Sequence, residues 1–134
     1  VVVEVKSKDD YAKWLSEQKK KLAAAADDPQ KVWAQPDLIA RGDKVFNANC
    51  AACHQANGTG NAAAKIPALV GDAVVLGPHV AQVNTVLNGR NGMPSWKQLS
   101  DTDIAAAITY TRNSWGNKAA EGLVQPAQVL AERK

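Results

Sequence analysis

The five residues Cys50-Ala51-Ala52-Cys53-His54 constrain this 134-residue chain most strongly, because they contain both of its cysteines. Two thiols stand three positions apart, and an imidazole follows the second thiol directly. Three kinds of site use such a cluster. They are a redox disulfide, a structural zinc site, and the covalent attachment of haem c, for which Cys-x-x-Cys-His is a signature.

The spacing favours haem attachment over the two alternatives. A thioredoxin-type disulfide lies where a strand enters a helix, whereas Cys50 follows a helical pattern and no βαβ pattern is visible. A zinc site would need His79 as its fourth ligand, and the adjacent side chains of Cys53 and His54 point in different directions. We therefore expect one haem c, with Cys50 and Cys53 attached covalently and His54 on the iron.

The amino-acid composition agrees with a core that a bound group completes. Aromatic residues make up 5% of the chain, and much of its 46% apolar content is alanine. A compact part of roughly 80 residues with so little bulk is marginal in stability by itself. A macrocycle buried among the helices would supply the missing volume.

Met93, the single methionine of the chain, is the expected second axial ligand. Gly92 and Pro94 flank it and stiffen the loop, which suits a weak thioether ligand; a gap-filling methionine is the alternative. His79 lies near a predicted helix start, and we expect no iron role for it. Histidine–methionine ligation raises the reduction potential, and it fills the site, so oxygen activation is not expected.

Helical periodicity dominates the rest of the chain. A short strand is expected at residues 1–5, a helix from about residue 8 to 26, and a linker over 27–37. Three helices should follow: one from Asp37 into Cys50, one from Pro78 to Asn88-Gly89, and one after Ser100. Residues 55–77 look loop-like, and residues 117–134 form a tail with little bulk that has room for one short helical piece.

Charge and hydropathy exclude two classes of protein. The net charge is +3, and no segment is strongly basic, so we expect no nucleic-acid partner. No apolar run is long enough to span a bilayer. The chain opens without Met on strand-like residues, so we expect a piece of a longer exported protein with any membrane anchor upstream.

The motifs "CAACH", "IPALVG" and "NGMPSW", followed by a capped helix ending in aromatic residues, resemble class I cytochrome c over about residues 36–116. This resemblance implies an all-α class I cytochrome c fold around one covalently attached haem. It also implies five haem-pocket residues: Phe46, Pro67, Leu69, Trp96 and Tyr110. Core packing is the alternative role for all of these except Pro67.

The resemblance gives each pocket residue a role. The Pro67 carbonyl would accept a hydrogen bond from the second ring nitrogen of His54. Leu69 would lie against the haem and Trp96 near a propionate, while Phe46, with Gly42, would pack against Tyr110.

The N-terminal stretch "VVVEVKSKDDYAKWLSEQ" resembles the end of the copper-bearing cupredoxin domain of cytochrome c oxidase subunit II. In many bacteria that subunit carries a class I cytochrome c domain at its C-terminus. The resemblance implies a strand remnant and linker helix over 1–34, a cytochrome c domain over 35–116, and a C-terminal tail over 117–134. It implies no copper in this fragment, because the copper ligands would lie upstream.

The expected function is electron transfer on the periplasmic side of a respiratory membrane. A soluble cytochrome or similar carrier would donate electrons, and the dinuclear copper centre of the same subunit would pass them to the oxidase core. The domain is not expected to be an enzyme by itself, and it meets the membrane only through upstream segments. The alternatives are a stand-alone or differently fused monohaem carrier, a haem-based gas sensor in which Met93 leaves the iron, and a zinc-stapled interaction domain.

Overall fold

The structure, a computed structural model, describes residues 11–18 and 27–133. The strand expected at residues 1–5 lies outside the described residues, as do the ends of the helix expected over 8–26. Residues 11–18 are helical, as predicted, and are called α1. The other helices are α2 (Gln35–Asn49), α3 (Ala51–His54), α4 (Ala73–Leu76), α5 (His79–Asn88), α6 (Asp101–Arg112) and α7 (Pro126–Glu132). Over the described ranges, β structure is limited to two isolated bridges, so this part of the chain is all-α, as predicted.

Helices α2 and α6 form the centre of the fold and approach each other at Gly42. A Cβ atom at this position would overlap the Ala106 carbonyl oxygen and lie 2.6 Å from the Tyr110 Cβ. Glycine therefore allows a backbone approach that any side chain would prevent. The Ser100 side chain caps α6 by accepting a hydrogen bond from the Asp103 N–H (3.0 Å), as the sequence predicted.

The hydrophobic core joins α2, α5, α6 and the C-terminal tail. Its buried members are Leu38, Val83, Leu87, Ile104, Ala105, Ala106, Ile108, Val124 and Val129. Small alanines on α6 let the neighbouring segments pack close to its axis. The tail is thus part of the core, because Val124 and Val129 are 0% exposed.

The shorter helices differ in part from the sequence prediction. Pro78 precedes α5 as its N-cap instead of being its first residue, and Gly89 ends the helix as predicted. Helix α4 was not predicted; the Asp72 carboxylate caps it by accepting from the N–H groups of Val74 (3.0 Å) and Val75 (3.2 Å). Helix α7 lies in the tail, where the sequence left room for one short helical piece without giving its bounds.

Residues 27–34, within the predicted linker, lie against the helices. The Trp33 N–H donates to Gln125 Oε1 and the Gln125 side-chain amide donates to the Trp33 carbonyl, both at 2.9 Å. Arg41 on α2 pairs with Asp27 (2.5 Å) and with Asp103 on α6 (2.7 Å). The segment is therefore joined to α2 through Arg41 and to the C-terminal tail through Gln125. Within the described ranges, none of the helices has the length and apolarity needed to cross a membrane.

Candidate functional site

The Cys-x-x-Cys-His motif folds into one helical turn directly after α2. The Cys50 N–H donates to the Phe46 carbonyl (2.7 Å), and the His54 N–H donates to the Cys50 carbonyl (2.9 Å). Both cysteines are free thiols; Cys50 is half-buried and Cys53 is exposed. Cys53 and His54 lie three and four positions after Cys50 in this turn, so each of them is a neighbour of Cys50 on the helix surface.

The His54 ring is held by the loop that follows it. Its Nδ1 atom lies 3.1 Å from the Pro67 carbonyl oxygen, the pair that the resemblance to class I cytochrome c implied. A carbonyl only accepts, so Nδ1 carries the proton of this bond, and in the neutral imidazole the lone pair is then on Nε2. His54 is 9% exposed, so the imidazole is oriented by burial as well as by this bond. The arrangement leaves Nε2 available to bind a metal ion.

The loop over residues 55–70 holds the Pro67 carbonyl in place. The Gly60 N–H donates to the His54 carbonyl (2.9 Å), and the Leu69 N–H donates to the Gly58 carbonyl (2.7 Å). A Cβ atom on Gly60 would lie 2.6 Å from the Pro67 oxygen, so the two backbone segments are in direct contact. Leu69 is half-buried in this loop. Its predicted contact with the haem stays a prediction.

Burial raises the pKa of the Cys50 thiol to about 11, and the nearby Cys53 adds to the shift. Cys50 is therefore a neutral thiol at physiological pH. Thioredoxin-type redox cysteines instead have pKa values well below that of a free thiol. This difference disfavours the redox-disulfide alternative at Cys50.

Met93 lies in a tight turn after α5. Its N–H donates to the Arg90 carbonyl (2.9 Å), and the Arg90 N–H donates to the Met93 carbonyl (3.1 Å). The Ser95 hydroxyl donates to the Leu87 carbonyl (2.5 Å), and the Trp96 N–H donates to the Val86 carbonyl (2.9 Å). These bonds fasten the backbone on both sides of the thioether to α5. Met93 and Trp96 are half-buried, and their roles at the iron and near a propionate stay predictions.

An aromatic cluster connects α2 and α6 beside the attachment turn. The ring centroids of Phe46 and Tyr110 lie 5.5 Å apart, and Trp115 packs 5.2 Å from Phe46 and 5.6 Å from Tyr110. Burial raises the pKa of Tyr110, and the charge of Asp43 adds to the rise. The helix that was expected to end in aromatic residues ends at Arg112, so Trp115 lies beyond it in a turn. The signal that could have placed it in a turn is Gly116, the residue after it.

His79 is not brought to the attachment turn. Its ring Nδ1 lies 2.8 Å from Glu121 Oε2, and its Nε2 lies 3.4 Å from the Gln128 amide nitrogen. Across residues 11–18 and 27–133, no three His, Cys, Asp or Glu side chains are grouped so that they could hold a metal ion. The zinc alternative, which needs His79 beside both cysteines, therefore gains no support.

The residues of the attachment turn fit a haem c. Two free thiols and an imidazole with a bonded Nδ1 share one helical turn, which is the donor set that thioether attachment and proximal ligation require. Two apolar side chains that follow the attachment turn in the sequence are partly exposed to solvent: Val70 is 41% exposed and Leu76 is 36% exposed. Cys50 and Cys53 would hold the macrocycle, and His54 would bind its iron.

Comparison with known proteins also relates this chain to cytochromes. The family described as "Cytochrome C oxidase, cbb3-type, subunit III" matches residues 37–110, more than half of the chain. A cytochrome c6 from Cyanidioschyzon merolae is 39% identical over 84 residues, which cover 60% of this chain and 77% of that protein.

Subunits of cbb3-type oxidases are similar over stretches of comparable length. CcoP from Azospirillum brasilense is 36% identical over 85 residues, 58% of this chain and 29% of its own length. FixP from Azorhizobium caulinodans is 39% identical over 82 residues, 58% of this chain and 28% of its own length. The chain thus spans less than a third of these oxidase subunits.

Proposed function

The chain belongs to the family described as "Cytochrome C oxidase, cbb3-type, subunit III" and has an all-α class I cytochrome c fold, and from this premise we propose that it is an electron-transfer domain. The family implies a haem c with iron, and the proposal is that this chain holds one. A single attachment motif, which uses both cysteines, supports that number.

Four residues hold the group in this proposal. Cys50 and Cys53 would form the thioethers, and His54 and Met93 would bind the iron. When bound, haem c supplies a one-electron couple whose potential is raised by methionine ligation. The bond from His54 Nδ1 to the Pro67 carbonyl orients the imidazole and increases its basicity. Phe46, Leu69, Trp96 and Tyr110 are proposed to line the pocket.

The proposed place of the domain is subunit II of a cytochrome c oxidase, on the periplasmic side of a membrane-anchored complex. It would accept electrons from a soluble cytochrome or similar carrier and pass them to the dinuclear copper centre upstream in the same subunit. The sequence before residue 35, which resembles the end of a copper domain, supports this placement and a boundary between segment 1–34 and a cytochrome c domain that begins at residue 35. The boundary proposed between 35–116 and the tail over 117–134 does not separate two cores, because Val124 and Val129 share the core of the domain. The domain itself would carry out no substrate chemistry.

A second candidate is the corresponding domain of a cbb3-type oxidase subunit. The similarity to CcoP and FixP proteins favours it, although those matches cover only 58% of this chain. Metal analysis of the longer natural polypeptide separates the two. Two coppers per iron are expected for subunit II, whereas iron without copper would favour the cbb3-type assignment.

An optical spectrum of the purified chain, made in cells that attach haem c, tests the electron-transfer proposal. We expect a low-spin c-type spectrum with the weak sulfur-to-iron band of the ferric form, and its loss in Met93→Ala. His79→Ala serves as the matched control and should keep the band. Absence of any haem spectrum would overturn the proposal. Carbon monoxide binding to the reduced protein at neutral pH would favour the gas-sensor alternative.

A further inference from the structure

The segment immediately after α6 contacts the loop that holds the axial imidazole. It contains Trp115 and Asn117, which lie outside the part of the chain that matches the family. We propose that these two residues are a positioning clamp for His54, acting through the backbone of the loop over residues 55–70. This inference rests on the proposed haem site.

Trp115 adopts a backbone conformation that side-chain-bearing residues rarely take. Its φ is +55°, in the left-handed region, where a bulky non-glycine residue is strained. Such strain persists only where the surroundings hold the residue firmly. Here the indole is packed between Phe46 and Tyr110 on one side and the loop on the other.

The indole makes two contacts with the loop. Its Nε1–H donates to the Ala56 carbonyl (3.1 Å). Its six-membered ring covers Gly58, because a Cβ atom there would lie 2.6 Å from Cε3 and Cζ3 of Trp115. Gly58 has a φ of +70°, so both the space and the conformation require glycine. Trp115 thus fixes the backbone at residues 56–58.

Asn117 fastens the other end of the same loop. Its side-chain amide donates to the Leu69 carbonyl (3.0 Å) and the Thr111 carbonyl (2.9 Å), and its Oδ1 accepts from the Gly71 N–H (2.9 Å). Asn117 is 5% exposed, so these bonds are shielded from water. The side chain joins the end of α6 to the backbone directly after Pro67.

The two contacts are linked to each other beside the carbonyl that orients the imidazole. The carbonyl of Gly58, which lies under the indole, accepts a hydrogen bond from the Leu69 N–H (2.7 Å), and the Leu69 carbonyl accepts one from the Asn117 side chain. Pro67 lies two residues before Leu69, and its carbonyl accepts from His54 Nδ1 at 3.1 Å. Loosening either contact should lengthen the His54–Pro67 bond, because these contacts fix the backbone of the loop at Ala56 and at Leu69.

The test compares Trp115→Phe with Trp33→Phe in the haem-loaded chain. Both changes remove one indole N–H, but Trp33 Nε1 is buried without a hydrogen-bond partner and lies in the 27–34 segment. We expect Trp115→Phe to accelerate exchange of the His54 Nδ1 proton about tenfold, the ratio that loss of one net hydrogen bond produces. The midpoint potential should rise, because a weaker Nδ1 bond makes the imidazole a poorer donor to ferric iron. Trp33→Phe should change neither quantity.

Asn117→Ala gives a second, independent measurement of the same clamp. It should also accelerate His54 Nδ1 exchange, together with exchange of the Leu69 amide. Wild-type exchange rates and potentials in both Trp115→Phe and Asn117→Ala would overturn the clamp while leaving the haem proposal intact. If no haem is attached, the proposed function fails. The Leu69 amide still reports the clamp in that case, and unchanged protection in both variants would then overturn it.

Discussion

Arg112, at the end of α6, is a charged residue buried in the core, with 0% of its surface exposed. Its guanidinium donates to the Glu121 carbonyl (2.6 Å), to Gln82 Oε1 (3.0 Å) and to the Gly77 carbonyl. Loss of solvation lowers the pKa of Arg112, and the charge of Glu121 partly opposes this. One side chain therefore satisfies oxygens from three segments, which the planar fork of arginine makes possible.

Arg112→Gln should lower the free energy of unfolding by about 2–4 kcal/mol, because it leaves buried acceptors without donors. Urea unfolding of the haem-loaded chain measures this. Arg90→Gln, at an exposed arginine, is the control and should change stability by less than about 0.5 kcal/mol. Equal effects of the two changes would contradict the structural role of Arg112.

Glu121 connects the tail to the start of α5. The backbone N–H of His79 donates to its carboxylate (2.6 Å) and is the largest cause of the lowered pKa of Glu121; the His79 ring (2.8 Å) adds to the shift. A carboxyl group with a lowered folded-state pKa stabilises the fold above its unfolded pKa and loses that contribution as pH falls through the folded value. Protonation should therefore release this contact in acid.

The melting temperatures of wild type and Glu121→Gln should differ at neutral pH, and the difference should shrink as the pH falls below the ordinary pKa of a glutamic acid. Thermal melts from neutral to acid pH measure the difference. The same substitution in a His79→Ala background should show a smaller difference, because only the backbone N–H remains as partner. A difference that does not change with pH would contradict the assignment.

At the scale of elements, the long helices were predictable and the short ones were not. Helix α6 follows from the Ser100 cap and the i, i+3, i+4 pattern, and α5 ends at Gly89 as predicted. Helix α4 has only four residues, too few for a periodic signal. Helix α7 depends on tertiary burial of Val129, which is not visible in a sparse apolar pattern.

The candidate site also has a part that was predictable from the sequence and a part that was not. The attachment turn was predictable because its residues are close together in the sequence and form a known motif. The contact of Trp115 with Ala56 joins residues 59 positions apart and was not predictable, since no periodicity or spacing encodes it. The bond between His54 and Pro67 was anticipated only through the resemblance to class I cytochrome c.

The close approach of α2 and α6 at Gly42 can be tested by substituting this glycine. Alanine has a higher helix propensity than glycine by about 1 kcal/mol, so propensity alone predicts that Gly42→Ala stabilises the protein. The overlap with the Ala106 carbonyl predicts the opposite, a loss of about 1–3 kcal/mol through overpacking. Urea unfolding decides the sign. Ala48→Gly, exposed on α2, is the control and should show the propensity cost alone.

At the scale of the whole molecule, the fold is closed by its two flanking segments. Residues 27–34 and the tail meet at the reciprocal bonds between Trp33 and Gln125. At the end of α7, Arg133 donates to the Leu99 carbonyl (2.6 Å) and pairs with Asp101 on α6. The chain entering the domain and the chain leaving it are thus held by the same helices.

Two adjacent residues of α7 test whether the tail belongs to the core. Val129 is 0% exposed and lies in the core cluster, whereas its neighbour Leu130 is 38% exposed. Val129→Ala should lower the free energy of unfolding by about 2 kcal/mol, since it removes buried methyl groups and leaves a cavity. Leu130→Ala removes a larger side chain but should cost less than about 1 kcal/mol, because part of that surface is already in water. Urea unfolding of both haem-loaded variants measures the order of the two effects. The reverse order would mean that α7 packs on the domain without sharing its core, and that the tail could be removed at little cost in stability.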